Sequence, residues 1–417
     1  MKIHSFLIGL LLLLACSGCA DSGPSVIPPT PSAPVALTPF TGSPDSLRSL
    51  AAQRGLLIGA AVEPDYIRND ELYGETLRRE FSLVTTENVL KFRAIRPDRR
   101  TFAFHPADQV VDFALRNDMQ IRGTNLVWHL GLPDWISNGR LSRAELLQIL
   151  EEHIKTVVGR YKGRIQYWDV VNEAVDDDGQ LRDTFWLRTI GPEYIELAFR
   201  WANEADPGAK LFYNDTRGER LNQKSDGIFI LVRDLLSKGV PIHGVGLQGH
   251  VSLSDALESW ELRENIARLG GLGLDVHFTE VDVRIDEPVS SQDLVAQATV
   301  FRELLKACLD EEACKVFVLW GFTDKFSWIP TSYPGFGTAL IFDEFYEPKP
   351  AYWSLMEALN ERMDISGRRV PFRRERSPDS GIGLHGHVSR ESTRASGAAR
   401  CSSLSTSRRP AFSAHCL

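Results

Sequence analysis

Cysteine is scarce where a fold would be built. Six are present, but Cys16 and Cys19 sit in an apolar leader and Cys401 and Cys416 in the terminal stretch. Only Cys308 and Cys314 fall in the long middle region, six residues apart, so at most one local bridge is available there, the alternative being two reduced thiols. No His/Cys cluster has ligand spacing, so no metal site is expected, and nothing calls for a cofactor. The apolar run 6–15 is too short to span a bilayer. No G-x-G-x-x-G follows the first strand-like run, which argues against an open dinucleotide-binding sheet. Basic residues are outnumbered, 47 against 55, and the net charge of -8 argues against a nucleic-acid partner.

What is present divides into four parts. Residues 1–19 read as a signal peptide: Lys2 and His4 precede the apolar run, and small residues precede Cys16 and Cys19. Either cysteine could be the processing point of a bacterial lipoprotein, and an ordinary secretory signal is the other reading. The expected location is outside the cytoplasm, secreted or on the cell envelope of a bacterium, with a lipid anchor as the one route to a membrane. Residues 20–44 hold seven prolines and read as an extended tether. Residues 45–363 form the folded part. Residues 364–417 read as a basic, disordered tail; from 367 onward there are ten arginines, no lysine and three acidic residues.

The middle region alternates strand and helix. Strand-like runs fall at 56–61, 81–86, 121–128, 165–172, 210–214, 242–248, 274–281 and 316–320. Helical periodicity lies between them, as at 143–159 and 292–309. Eight short strands alternating with helices in about 320 residues imply an α/β fold, a (β/α)8 TIM barrel. In such a barrel the strand C-termini converge on one face. Their residues are Glu87-Asn88 with Lys91, Asn125 with Trp128-His129, Asn172-Glu173, Asn214-Asp215, Gln248 with His250, Glu280 with Asp282, and Trp320. Polar and aromatic side chains thus gather where apolar strands stop.

Glu173 and Glu280 stand out, 107 residues apart, each ending an apolar strand. Glycoside cleavage needs one carboxyl to protonate the leaving oxygen and another to meet the oxocarbenium carbon. Asn172 is placed to bond a sugar 2-hydroxyl. Glu280 and Asp282 share a face of a regular strand, and His250 ends the strand before. A Glu280–His250–Asp282 chain follows, in which Asp282 fixes the histidine tautomer and the histidine orients Glu280. Glu87, Asn88 and Lys91 offer donors and acceptors to sugar hydroxyls. Trp135, Trp320 and Trp328 offer apolar faces to pyranose rings, whereas Trp168 and Trp186 read as core.

The segments 86–92 (TENVLKF), 126–129 (LVWH), 168–173 (WDVVNE), 246–250 (GLQGH), 279–282 (TEVD) and 320–328 (WGFTDKFSW) resemble glycoside hydrolase family 10, in chain order, from about residue 45 to 360. The resemblance implies a retaining endo-β-1,4-xylanase, a monomer acting on xylan or xylo-oligosaccharides, with another β-1,4-glycanase as the alternative and a non-catalytic glycan binder as a remote one. It makes Glu173 the acid/base and Glu280 the nucleophile, their carboxyl groups about 5–5.5 Å apart. It places Glu87, Asn88, Lys91, His129, Asn172, Gln248, His250, Trp320 and Trp328 around the sugar, and it favours a Cys308–Cys314 bridge. The chain departs from the pattern at Leu90 and Phe92, where Met and Trp are usual, at Leu130-Gly131, and at Thr216, where Tyr is common.

Overall fold

The computed structural model describes residues 45–255, 258–363 and 369–370. The leader, the tether, Cys16, Cys19 and nearly all of the tail lie outside the described residues. Among the described residues no helix is long and apolar enough to cross a membrane.

Eight parallel strands close on themselves. They are β1 (Leu57–Val62), β2 (Leu83–Thr86), β3 (Gln120–Gly123), β4 (Tyr167–Asn172), β5 (Lys210–Asp215), β6 (Gly244–Leu247), β7 (Asp275–Asp286) and β8 (Cys314–Leu319). Each pairs with the next, and β8 pairs with both β7 and β1, so the sheet has no edge. The (β/α)8 barrel inferred from the sequence is therefore the fold. Strand bodies are buried on both sides because helices cover the outside, which is why they read as continuous apolar runs.

The helices are set by local chemistry. Ser142 caps Arg143–Arg160 and Ser290 caps Ser291–Asp310, each in a reciprocal box with Glu145 or Asp293. Asn222 does the same with Ser225 for Gln223–Ser237. Cys308 in the helix 291–310 is joined by a disulfide to Cys314, which lies inside β8 rather than before it.

Two strands differ from the sequence reading in ways that matter, and two registers shift. The 121–128 run is regular only to Gly123; Leu126 and Val127 then rejoin β4 through bonds to Asp169 and Val170. Gly123 is required there, since a Cβ would lie 2.4 Å from the Trp168 ring. β7 runs five residues beyond the expected end, and a short strand, His250–Ser252, pairs with the extension. The β4–β5 register shifts between Asp169 and Val171, and the β7–β8 register between Phe278 and Val281. Such irregularities re-aim the side chains beyond them, and each lies just before or across one of the two glutamates.

Inside the barrel, Arg122 is fully buried. Its guanidinium pairs with Asp169, bonds His277 Nδ1 at 2.9 Å and lies over the Phe212 ring. Thr124 donates to the same Asp169 at 2.7 Å. One cluster thereby ties β3, β4, β5 and β7 together beneath the strand ends. Removing one partner of a buried pair of this kind costs about 3–5 kcal/mol.

His153 is another buried polar group, but an unpaired one. Its ring stacks on Phe92 at 3.6 Å between centroids, and neither nitrogen has a hydrogen-bond partner. Burial, then the nearby Arg96 charge, push its pKa down to about 3. The unfolded chain takes up this proton near pH 6.5 while the folded one refuses it. Stability linked to His153 is therefore full above pH 6.5 and lost as pH falls toward 3. At pH 4.5 the loss is on the order of 2–3 kcal/mol. In His153→Leu, urea unfolding at pH 7 and 4.5 should show this part of the acid loss gone; an unchanged pH slope would contradict the assignment.

Candidate active site

Glu173 follows β4 directly, with a left-handed backbone at φ 57°. Its N–H donates to Asn214 O at 2.9 Å, and its carbonyl accepts from Arg182 Nε at 3.1 Å. Its Oε1 accepts from Gln248 Nε2 at 2.9 Å and Asn172 Nδ2 at 3.3 Å. Burial works to raise the pKa of this carboxyl. The Gln248 hydrogen bond and the charges of His129 and Lys224 outweigh burial, so the net shift is downward.

Glu280 lies within β7, and its Oε1 accepts from Asn214 Nδ2 at 2.8 Å. The same Nδ2 donates to Asn172 Oδ1 at 2.9 Å, which also accepts from Gln248 Nε2 at 3.3 Å. Thr279 Oγ1 holds Asn214 from the other side at 2.7 Å. Three amides from β4, β5 and the end of β6 thus bridge the two glutamates. Gly246 makes room for the bridge, because a Cβ there would lie 2.1 Å from Asn214 Oδ1.

His250 joins Glu280 to Asp282. Nε2 is 3.2 Å from Glu280 Oε2, and Nδ1 is 2.9 Å from Asp282 Oδ2. Burial disfavours the charged ring, but the Asp282 charge and hydrogen bonds to Asp282 and Glu280 prevail and raise the pKa to about 10. The raised pKa favours an imidazolium that donates from both nitrogens, with Asp282 balancing its charge. Asp282 Oδ2 also accepts from Trp328 Nε1 at 2.8 Å, and the Trp328 ring lies 5.0 Å from His250. Trp320 meets His250 edge-on at 6.0 Å.

The β1–β3 side carries the remaining groups. Lys91 Nζ donates to Asn88 Oδ1 at 2.8 Å and lies 5.2 Å from the Trp128 ring and 5.8 Å from Trp320. Asn88 Nδ2 donates to Glu63 at 2.8 Å and weakly to Glu87 at 3.4 Å. Burial first, then the Glu63 charge, push the Glu87 carboxyl up to about 7. His129 has a lowered pKa because of burial, with Arg182 and Lys224 adding to the effect against Glu173. Trp135 is not brought into this group. Its indole donates to Arg96 O at 3.2 Å, its ring faces the Arg96 guanidinium, and it packs on the main core. Trp168 and Trp186 are buried, as expected of core. Opposite the β1–β3 side, a cavity of about 400 Å³ opens beside His250, lined by Asp177, Arg217, Arg220, Lys224 and Asp255 among others. Among the described residues no acidic, His or Cys group is arranged to hold a metal ion.

Sequence reasoning missed Glu63, Asn214 and Trp128 as members of the site. Glu63 directly follows β1, the one strand end left out of the sequence reading, and could have been found by the same rule. Asn214 was visible as a strand end, but only the fold shows it between the two glutamates.

A closed (β/α)8 barrel with two bridged glutamates at its strand ends is the arrangement of a glycoside hydrolase. The family model for glycosyl hydrolase family 10 matches residues 46–358. The Thermotoga neapolitana protein named endo-1,4-beta-xylanase B is 44% identical over 326 residues, covering 77% of this chain and 94% of its own. Native xylanase 10B from Thermotoga maritima is 47% identical with a TM-score of 0.74, covering 75% of this chain and 98% of that one. Xylanase 10B from Thermotoga petrophila, solved in complex with xylobiose, is 45% identical with a TM-score of 0.74, covering 75% and 97% respectively. The chain belongs to glycosyl hydrolase family 10.

The His250 charge is directly measurable. Its folded pKa is raised, so the stability it contributes is full below pH 6.5 and lost as pH rises toward 10. Nitrogen-15 shifts of the His250 ring should stay those of an imidazolium through pH 8. In Asp282→Asn the transition should move down by more than one pH unit. A neutral ring at pH 7.5 in the unaltered protein would refute the ion-pair chain.

Proposed function

We infer that the protein is a retaining endo-β-1,4-xylanase that cleaves internal bonds of xylan. The observation that carries the reading is the pair Glu173 and Glu280, held by the amides of Asn172, Asn214 and Gln248, with the His250 ring on Glu280 alone of the two. The two carboxyls therefore have different environments and can divide the work.

In this reading Glu280 is the nucleophile. His250 and Asn214 occupy its oxygens and aim it at the anomeric carbon. Glu173 gives its proton to the departing glycosidic oxygen, and a covalent glycosyl–enzyme forms with inversion at that carbon. Glu173, now a base, takes a proton from water, which displaces Glu280 with a second inversion. The lowered proton affinity of Glu173 in the free site suits the base step. Sugar packed over it removes water, which disfavours the anion and favours the acid form needed first. Asn172 is placed to bond the 2-hydroxyl. Glu87, Asn88 and Lys91 bind sugar on the β1–β3 side, with Trp320 and Trp328 as apolar walls. His129 and Gln248 complete the contacts at the cleavage point.

Xylan lies outside most cytoplasms, and the leader at 6–15 supports export. The Cys308–Cys314 bridge fits an oxidising compartment. Cys16 or Cys19 would supply a lipid anchor ahead of the 20–44 tether, and residues 45–363 would be the catalytic body.

Glu280→Ala should lose at least about 10³-fold in hydrolysis of xylan. Glu173→Ala should keep hydrolysis only of aryl xylosides whose leaving group needs no proton. Proton NMR of the first product should show the β-anomer, the outcome of two inversions at one carbon. An α-anomer, or full activity in either variant, would overturn the mechanism. Faster turnover of soluble β-glucan than of xylan would overturn the substrate.

A further inference from the structure

We propose that Tyr213, Asp215 and Lys224 are a positioning unit for Glu173, which locks its left-handed turn and sets a buried cation behind it. The proposal rests on Glu173 being the acid/base.

The anchor is the Tyr213 hydroxyl. It accepts from the backbone N–H of Ala174 and of Val175, each at 3.0 Å. These are the two residues after Glu173. The hydroxyl proton is committed to Asp215 Oδ2. A tyrosine that donates to a carboxylate has both lone pairs free for the two N–H groups. Glu173 is not a glycine, and its φ of 57° costs on the order of 1–3 kcal/mol unless the surroundings impose it. Arg182 on its carbonyl and Tyr213 on the next two amides impose it.

Asp215 is in turn held by Lys224. Nζ lies 2.8 Å from Oδ1, which also accepts from Thr216 N at 2.9 Å. Asp215 is fully buried and Lys224 is 2% exposed. Burial raises the Asp215 pKa to about 6 against the opposing Lys224 charge. Lys224 stands in the first turn of the helix 223–237, whose Asn222 cap fixes it relative to β5. A buried cation here stabilises the Glu173 carboxylate. The other titratable groups around the unit are His129 from the β3 loop, Arg182 on the Glu173 carbonyl with Asp176 paired to it, Asp215 from β5, Asp177 at 3.9 Å from Lys224 Nζ and, across the amide bridge, Glu280. Of these, Lys224 is the cation on a rigid helix, and the unit couples it to the backbone of the acid/base.

The test is kinetic. In Lys224→Met the alkaline limb of kcat, which reports Glu173 with sugar bound, should move up by about one pH unit, because loss of a cation favours the neutral carboxyl. Lys224→Arg should leave the limb in place. Tyr213→Phe should slow cleavage of xylosides with poor leaving groups at least tenfold more than that of dinitrophenyl xyloside, with KM unchanged. A merely structural role would leave the limb unmoved and slow both substrates alike; either result in a folded variant overturns the proposal. If Lys224→Met does not fold, the isosteric Tyr213→Phe decides. Failure of the underlying assignment looks different: Glu173→Ala would then hydrolyse xylan normally and give no β-xylosyl azide when azide is supplied.

Discussion

Everything at the active face depends on β8 pairing with both β1 and β7. A parallel sheet that closes leaves no edge, and its strands all point their C-terminal ends to one side. Carboxylates, amides and indoles that follow separate strands are thereby delivered to one place. No local preference in the chain achieves this. Glu173 and Glu280 meet through a circle of backbone hydrogen bonds that runs through six other strands.

Within that circle the site is organised by amides more than by charges. Asn214 is the hub: one nitrogen serves Glu280 and Asn172, and its oxygen is held by Thr279. Amides suit this role because they can donate and accept without taking sides between two carboxylates. Net charge is then added selectively. His250 gives a cation to Glu280 and Asp282, and Lys224 gives one to Asp215 behind Glu173. Two glutamates that look alike in sequence thereby sit in different environments.

The cost is borne by the barrel. Arg122 with Asp169, Lys224 with Asp215 and the unpaired His153 and His277 nitrogens are all buried. Each is expensive to desolvate. A small core could not carry them. A barrel whose strands are sandwiched between a filled interior and the surrounding helices has the apolar area to do so, and rigidity at the strand ends is what it returns.

Sequence by itself determined the alternation of strand and helix, and with it the barrel, because short continuous apolar runs and period-3.6 burial leave different marks on a chain. It also marked most of the polar strand ends, since Glu173, Glu280, Gln248 and His250 interrupt apolar runs abruptly. The tertiary structure alone decided who meets whom and in what charge state. That Trp135 turns to Arg96, that Asn214 bridges the glutamates, and that Glu63 raises Glu87 are facts about side chains from different strands. The register shifts in β4–β5 and β7–β8 belong there too, because a bulge arises from the partner strand as much as from its own residues. His250 shows the reason most plainly: its charge is set by burial and by Asp282 and Glu280, thirty or so residues away in sequence and about 3 Å away in space.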